Sequence, residues 1–219
     1  MGKTVLITGA TGMVGSQVLL LALASKEISK VLAYGRRSVG LQHAKLEEYL
    51  SPDFASFPSE WDLTQVDHIL FCLGVYTGAV KRDLFREITV AYPVALAQAH
   101  LAQRPNGRFT LLSGAGADRS EKSRMMFAED KGAAENELSR LYATNFYTFR
   151  PGYIYPVEKR KEPNFSYRLS RKIYPLLKGL GPKYSITSHQ LAQGIFNTAL
   201  KAPDQEISEN EDILQYIRS

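Results

Sequence analysis

The sequence predicts an α/β chain built on a doubly wound parallel sheet with helices on both faces. Two observations predict it: β-rich apolar runs alternate with amphipathic stretches along all 219 residues, and a glycine-rich turn joins the first run to the first amphipathic stretch. Strand, helix, strand, helix in that order gives right-handed crossovers and a parallel sheet. Strands are expected over residues 4–8, 30–34, 46–49, 68–73, 108–113, 146–149 and 205–208. Helices are expected over 13–24, 84–103, 131–142 and 189–200; in the last, Leu191, Ile195, Thr198 and Ala199 recur at helical spacing. A charged, proline-bounded loop opens at Pro156. Asn164 then caps a short helix with the stripe Phe165, Leu169 and Ile173, which Pro175 breaks. Residues 156–184 thus form a small lobe before the last expected helix, and residues 1–219 form a single domain.

Composition narrows the class. Cys72 is the only cysteine, so neither a disulfide framework nor a thiolate metal site is available. The four histidines (His43, His68, His100 and His189) stand far apart without ligand spacing, and no metal is expected. The first strand-like run begins at Lys3, and the longest apolar stretch, 18–24, falls far short of the ~20 residues a bilayer needs. A cytoplasmic location without membrane attachment is the expectation. The net charge is +5 with a pI near 9.2. Residues 156–184 carry eight Lys or Arg against two Glu, so this segment alone exceeds the excess of the whole chain. Such a segment serves an anionic small molecule or an acidic protein partner, or else is a solvated helix face. It lacks aromatics interleaved at regular spacing and any recognised reader motif, so no nucleic acid is expected.

The most specific signal is Thr8-Gly9-Ala10-Thr11-Gly12-Met13-Val14-Gly15, lying between a strand and a long helix. Gly9 permits the tight turn, and Gly12 lets the backbone approach a pyrophosphate with no Cβ in the way. Gly15 allows close packing of helix on strand. Free amides at the helix start, from Thr11 to Val14, then face the phosphates. This is a Rossmann-type dinucleotide cradle.

The Thr-Gly-Ala-Thr-Gly-x-x-Gly spacing resembles the fingerprint of the extended and atypical short-chain dehydrogenases/reductases. Gly35-Arg36-Arg37, Phe71-Cys72-Leu73-Gly74, Leu111-Leu112-Ser113 with Gly116-Ala117-Asp118, Lys131-Gly132 with Glu135, and Arg150-Pro151 follow in order. Together they resemble the Tat-interacting-protein-like branch of the atypical group over nearly the whole chain. The resemblance implies that Asp53 sits beside the adenine and that Cys72, Leu73 and Gly74 pass under the adenosine ribose. It also implies that the loop Arg150-Pro151-Gly152-Tyr153 meets the nicotinamide carboxamide. Cys72 reads as a small packing residue, since nothing near it in sequence activates a thiol.

An NAD-specific site usually carries Asp or Glu at the end of the second strand, ~20 residues past the glycines. Here the chain reads Tyr34-Gly35-Arg36-Arg37-Ser38, without an acid. Two guanidiniums suit a 2′-phosphate, whose oxygens they bind bidentately. The expected cofactor is NADP(H), the alternative being two surface arginines in a loop.

The catalytic signature is incomplete. The resemblance implies a Tyr-x-x-x-Lys pair on one helix face, the lysine holding the nicotinamide ribose and lowering the pKa of the tyrosine. Lys131 fits the lysine end, but Phe127 stands four residues earlier. Phenylalanine has the ring and no proton to give. Ser113 matches the branch's serine by position, and reads equally as a strand-end hydroxyl satisfied by the backbone. Tyr153 or Tyr155 is a candidate replacement phenol. Two functions follow: an NADP(H)-binding protein without ordinary catalysis, tuned to sense its cofactor, or an NADPH-dependent oxidoreductase (or epimerase-like enzyme) with a displaced proton donor. The second would act on a small carbonyl or a sugar-nucleotide-like substrate.

Overall fold

The computed structural model describes residues 2–54, 57, 58, 60–158, 181 and 183–218. In chain order its strands are β1 (Lys3–Thr8), β2 (Ile28–Gly35), β3 (Leu46–Leu50), β4 (His68–Phe71), β5 (Arg108–Leu112), β6 (Phe146–Arg150), β7 (Tyr153–Tyr155), β8 (Ser185–Thr187) and β9 (Ile207–Glu209). Seven of them form one parallel sheet ordered β3-β2-β1-β4-β5-β6-β9, while β7 and β8 pair as a separate parallel ribbon. The helices are α1 (Gly15–Ala24), α2 (Arg82–Arg86), α3 (Tyr92–Gln103), α4 (Met126–Tyr142), α5 (Ser188–Leu200) and α6 (Asn210–Tyr216).

Each central strand is apolar on both faces, as a sheet covered on both sides requires. Val5, Ile7, Val31 and Ala33 pack with Val18 and Leu19 of α1, Leu191 and Ile195 of α5, and Ile213 of α6. Leu6, Leu32, Ile69 and Phe109 point the other way, onto Leu96 and Ala97 of α3 and Ala134 and Leu138 of α4. Strand order reverses between β1 and β4, and in such sheets the crevice outside the strand carboxyl ends opens at that point. Two lysines tie helix ends to the sheet. Lys3 Nζ donates to the carbonyls of Ala199 (2.7 Å) and Leu200 (2.8 Å), and Lys45 Nζ donates to those of Leu23 (3.2 Å) and Ser25 (2.5 Å). Each places a cation where the final carbonyls of α5 and α1 lack partners. Among the described residues no helix is long and apolar enough to cross a membrane.

All seven expected strands form in the main sheet. The expected helix over 84–103 is instead α2 and α3 joined by a π-helical turn, Glu87–Ala91. Pro93 explains the turn: it has no amide hydrogen, and its ring crowds the carbonyl four residues back. Tyr92 accordingly bonds back to the Glu87 carbonyl, five residues away, and the helix resumes. α4 begins at Met126 rather than at Lys131, which puts Phe127 and Lys131 on one helix. The ribbon β7–β8 and helix α6 were not expected. Most of the expected lobe, with its short helix and its basic stripe over 159–172, lies outside the described residues.

Where α4 crosses the loop after β5, a Cβ on Gly132 would lie 1.8 Å from the Asp118 carbonyl oxygen. Alanine at mid-helix is favoured by ~1 kcal/mol over glycine, but overpacking against backbone costs ~1–3 kcal/mol. Gly132→Ala is therefore expected to lower Tm, by about 2–8 °C for a net loss of ~1–2 kcal/mol. Calorimetry checks it, and an unchanged or raised Tm would mean that helix propensity governs this position.

Candidate functional site

The glycine turn folds as its sequence requires. Gly9 has φ +68°, and a Cβ there would lie 2.7 Å from the backbone of Cys72. A Cβ on Gly15 would lie 2.2 Å from the Gly9 oxygen, and one on Gly12 would meet that oxygen at 3.0 Å. Gly9 and Gly15 are thus demanded by close approach of β1, α1 and the chain leaving β4. Beyond the turn, the helix N-cap Val14 makes no side-chain cap. Among the described residues, no protein acceptor meets the amides of Met13 and Val14. These two donors stand at the positive end of the α1 dipole, the arrangement that receives phosphate.

On one side of this turn lies a cavity lined by Gly9, Thr11, Tyr34, Arg36, Arg37 and Phe54, with Leu73 at its edge. Arg36 and Arg37 are exposed at the rim, and among the described residues neither takes part in an ion pair. Their loop is organised by Glu48 of β3, whose carboxylate accepts from Val39 N (2.6 Å) and Ser38 Oγ (2.8 Å). That carboxylate is therefore engaged with the loop and is absent from the cavity wall. Phe54 rather than Asp53 forms the wall. Asp53 offers its backbone carbonyl to Ser51 Oγ and Tyr34 Oη. Phe54 stacks on Tyr34 with ring centroids 4.3 Å apart, and Trp61, Phe57 and Tyr92 complete an aromatic cluster behind them. Nothing in the periodicity announced this cluster; the closely spaced Phe54, Phe57 and Trp61 were its only trace in the sequence.

On the other side, Gly12, Met13, Val14, Cys72, Leu73, Gly74, Ser113, Phe127 and Lys131 line a second cavity. Burial pushes the Cys72 thiol up to about 12, so at neutral pH it is a packing group and not a nucleophile. A third cavity, of about 410 Å³, adjoins it and is bounded by Met13, Tyr76, Ser113, Phe127, Pro151 and Tyr153. Tyr155 is in neither wall. Tyr76, on the loop after β4, is a phenol the sequence argument missed, because nothing in a chain reading ties that loop to α4.

Phe127 and Lys131 share one face of α4, and a Cβ on Gly114 would lie 2.5 Å from Phe127 Cζ. The ring therefore rests on the Gly114 backbone. Lys131 Nζ donates to the Leu112 carbonyl at 3.1 Å. Burial lowers its pKa to about 8, while the Glu135 charge pulls the other way. Ser113 Oγ is 2.6 Å from Glu135 Oε1. Glu135 is fully buried and also receives Thr148 Oγ1 (3.1 Å), Arg119 Nε (3.0 Å) and the guanidinium of Arg150. Burial works against its charge, but the hydrogen bonds from Arg150 and Ser113 outweigh it and hold the carboxyl below the ordinary glutamate value. Since Glu135 is ionised and can only accept, the Ser113 proton lies towards Glu135. Among the described residues no cluster of His, Cys, Asp or Glu is arranged to hold a metal.

Fold and cleft together define a Rossmann-like α/β protein, a seven-stranded parallel sheet with a glycine turn at the start of α1. No family model matches the chain. It is similar to HTATIP2 of Rattus norvegicus, 27% identical over 219 residues, covering 97% of this chain and 88% of that protein. It is likewise related to the protein fmp52-1, mitochondrial, of Aspergillus terreus, at 24% over 214 residues, covering 93% and 90%. Among solved structures, a putative NAD-dependent epimerase/dehydratase from Bacillus halodurans superposes with TM-score 0.65 at 21% identity, covering 99% of both chains. The PhqB reductase domain from Penicillium fellutanum gives 0.71 at 17%, covering 96% of this chain and 67% of that one. Both structures share the fold.

A lysine with a depressed pKa binds fewer protons folded than unfolded at pH values between about 8 and 10.5. Its burden on stability is thus fully present below about pH 8 and is relieved as pH rises towards 10.5. The cofactor-free Lys131→Met variant is expected to melt above the natural protein at pH 7, with the gap closing across that window. Thermal unfolding against pH measures it, and a lower Tm at pH 7 would show the amine to be stabilising.

Proposed function

We propose that the protein binds NADP(H) and holds it without ordinary carbonyl reduction, so that its output is the bound state of the cofactor. The observation that carries this reading is the pair of altered proton donors at the third cavity. Phe127 has none to give, and Ser113 directs its own to Glu135. Hydride delivery to a carbonyl builds negative charge on oxygen, and a positioned acid contributes ~10²–10⁴-fold. The glycine turn and the free amides of Met13 and Val14 support a pyrophosphate at the start of α1. Arg36 and Arg37 at the rim support the 2′-phosphate, and Phe54 supports an apolar adenine seat. Lys131 is suited to the nicotinamide ribose. The names of the Bacillus halodurans structure and of the enzyme WbmH, solved with NAD⁺, agree with a nicotinamide dinucleotide of some kind. A cytoplasmic location remains part of the reading, although the fmp52 relatives are named mitochondrial. So does an anionic ligand or acidic partner for the basic segment, whose binding would weaken with salt.

The size of the third cavity favours a second reading, an NADPH-dependent oxidoreductase of a small carbonyl or sugar-nucleotide-like substrate with Tyr76 or Tyr153 as displaced donor.

Calorimetric titration is expected to give NADPH ~10–100-fold tighter than NADH, a margin of ~1.5–3 kcal/mol. Arg36→Ala with Arg37→Ala should largely erase it. Equal affinities in the natural protein would overturn the NADP(H) assignment.

NADPH oxidation over a panel of aldehydes, quinones and ketones is expected to be at background, and to rise in Phe127→Tyr. Robust turnover by the natural protein that Tyr76→Phe or Tyr153→Phe abolishes would establish the second reading instead.

A further inference from the structure

The amino ends of the strands carry a cavity of their own. Lys3, at the start of β1, holds the last carbonyls of α5, whereas the glycine turn follows the end of β1. The turn after α5 therefore lies at the opposite end of the sheet from the glycine turn. With the edge strand β9 and α6 it encloses about 370 Å³, walled by Lys201, Asp204, Ser208, Asp212 and Tyr216. Tyr216 Oη donates to the Lys201 carbonyl, which pins the end of α6 to the turn. Burial, joined by Tyr147 and the Asp204 charge, raises the pKa of this phenol, so it stays neutral.

Ser208 is only 2% exposed, yet its hydroxyl has no hydrogen-bond partner among the described residues. Nor is that hydroxyl sealed in, since the one sealed side-chain polar atom without a partner there is His68 Nδ1. It opens on the cavity that Ser208 lines. A buried polar group is normally bonded within the protein, and this one is left for whatever enters. Two carboxylates share the wall. Asp204 makes no hydrogen bond or ion pair among the described residues. Asp212 accepts from Glu209 N on one oxygen (2.9 Å) and keeps the other free. Lys201 is the one cation of the wall, and it is exposed and paired with neither acid. The wall is thus acidic in a chain whose net charge is +5.

We propose that this cavity is a binding site for small guanidinium-bearing molecules, with Asp204 and Asp212 meeting the charge and Ser208 Oγ accepting a further N–H. A guanidinium presents five donors in a planar fork, and each carboxylate here has at least one oxygen to receive them. An anion of the same size would face two like charges. A divalent metal does not fit, because among the described residues no cluster of His, Cys, Asp or Glu is arranged to hold one. The inference stands apart from the proposed cofactor site, which lies at the other end of the sheet.

The probes are butylguanidinium and butylurea, alike in shape and differing in charge and in one nitrogen for oxygen, titrated by protein-observed NMR. Butylguanidinium is expected to bind about tenfold more tightly, with shifts centred on residues 201–205 and 208–216. Asp204→Asn should bring the two within about twofold, and Ser208→Ala should weaken the cation about threefold. Neither variant removes a hydrogen bond that the described residues make, so both should keep the natural Tm. Added salt should weaken the cation and leave the urea unchanged. Equal or tighter binding of butylurea would overturn the proposal, as would shifts scattered over the surface or a preference that survives both variants. Magnesium producing the same shifts at the same concentration would overturn it in favour of a metal. The titration is repeated with saturating NADPH and should be unchanged, so it decides the ligand class whether or not the cofactor reading holds.

Discussion

A carboxylate removed from water must be met by donors, and Glu135 draws them from three parts of the chain. Ser113 comes from the end of β5, Thr148 and Arg150 from β6, and Arg119 from the loop that α4 crosses. The two guanidiniums continue outward, Arg119 to Glu206 and Arg150 to Glu209, which fastens the edge strand β9. Removing one member of such a buried network costs ~3–5 kcal/mol, because the remaining charges stay buried without a partner. Much of the right half of the sheet, and the state of the cavity wall, hang on this one ionised group. The loop carrying Ser113 is set by electrostatics within the core, and only secondarily by anything a ligand does.

The left half obeys a different constraint. There the glycines let backbone lie on backbone, and the resulting gap is lined by amides and arginines. The half of the cleft at the start of α1 thus keeps unspent donors, whereas beside Phe127 the amides of Ser113, Ala115, Gly152 and Tyr153 are bonded within the protein. A second buried acid, Asp130, sits next to Lys131 and pairs with Arg82 and Arg86. It binds α2 to α4 and leaves Lys131 to face the cleft from a fixed helix.

The parts legible in the sequence were those written in local chemistry. The five interior strands could be placed from β-rich runs, since a strand buried on both faces is apolar through most of its length, while the edge strands β3 and β9 are only partly buried and left a weaker trace. The cradle was legible because Gly12 and Gly15 answer to Gly9 in the same turn and Gly9 has the positive φ of a tight turn, although the chain it clears at Cys72 is distant in sequence. Phe127 was legible from spacing along a single helix. What escaped depends on partners distant in sequence. The Ser113 proton is fixed by a residue 22 positions on, and Glu48 reaches the arginine loop only because β3 pairs with β2. Tyr76 enters the cavity wall through the crossing of two loops. The ribbon β7–β8 joins strands of three residues each across the lobe, too short to show a period. The π-helical turn was in principle readable from Pro93, but its place among good helix formers hid it.

The lysine that caps α5 also bears on how the chain is made. The carbonyls that Lys3 holds lie 196 and 197 residues later in the chain. β1 is flanked by β2 and β4, so it becomes an interior strand early. The helix covering one of its faces, α5, leaves the ribosome long after β1 does. Until then Val5 and Ile7 have only part of their eventual cover, and contacts of such long range form slowly. A nascent chain therefore presents an exposed apolar sheet face between the emergence of β1 and that of α5, an opening for holdase chaperones that closes when α5 docks.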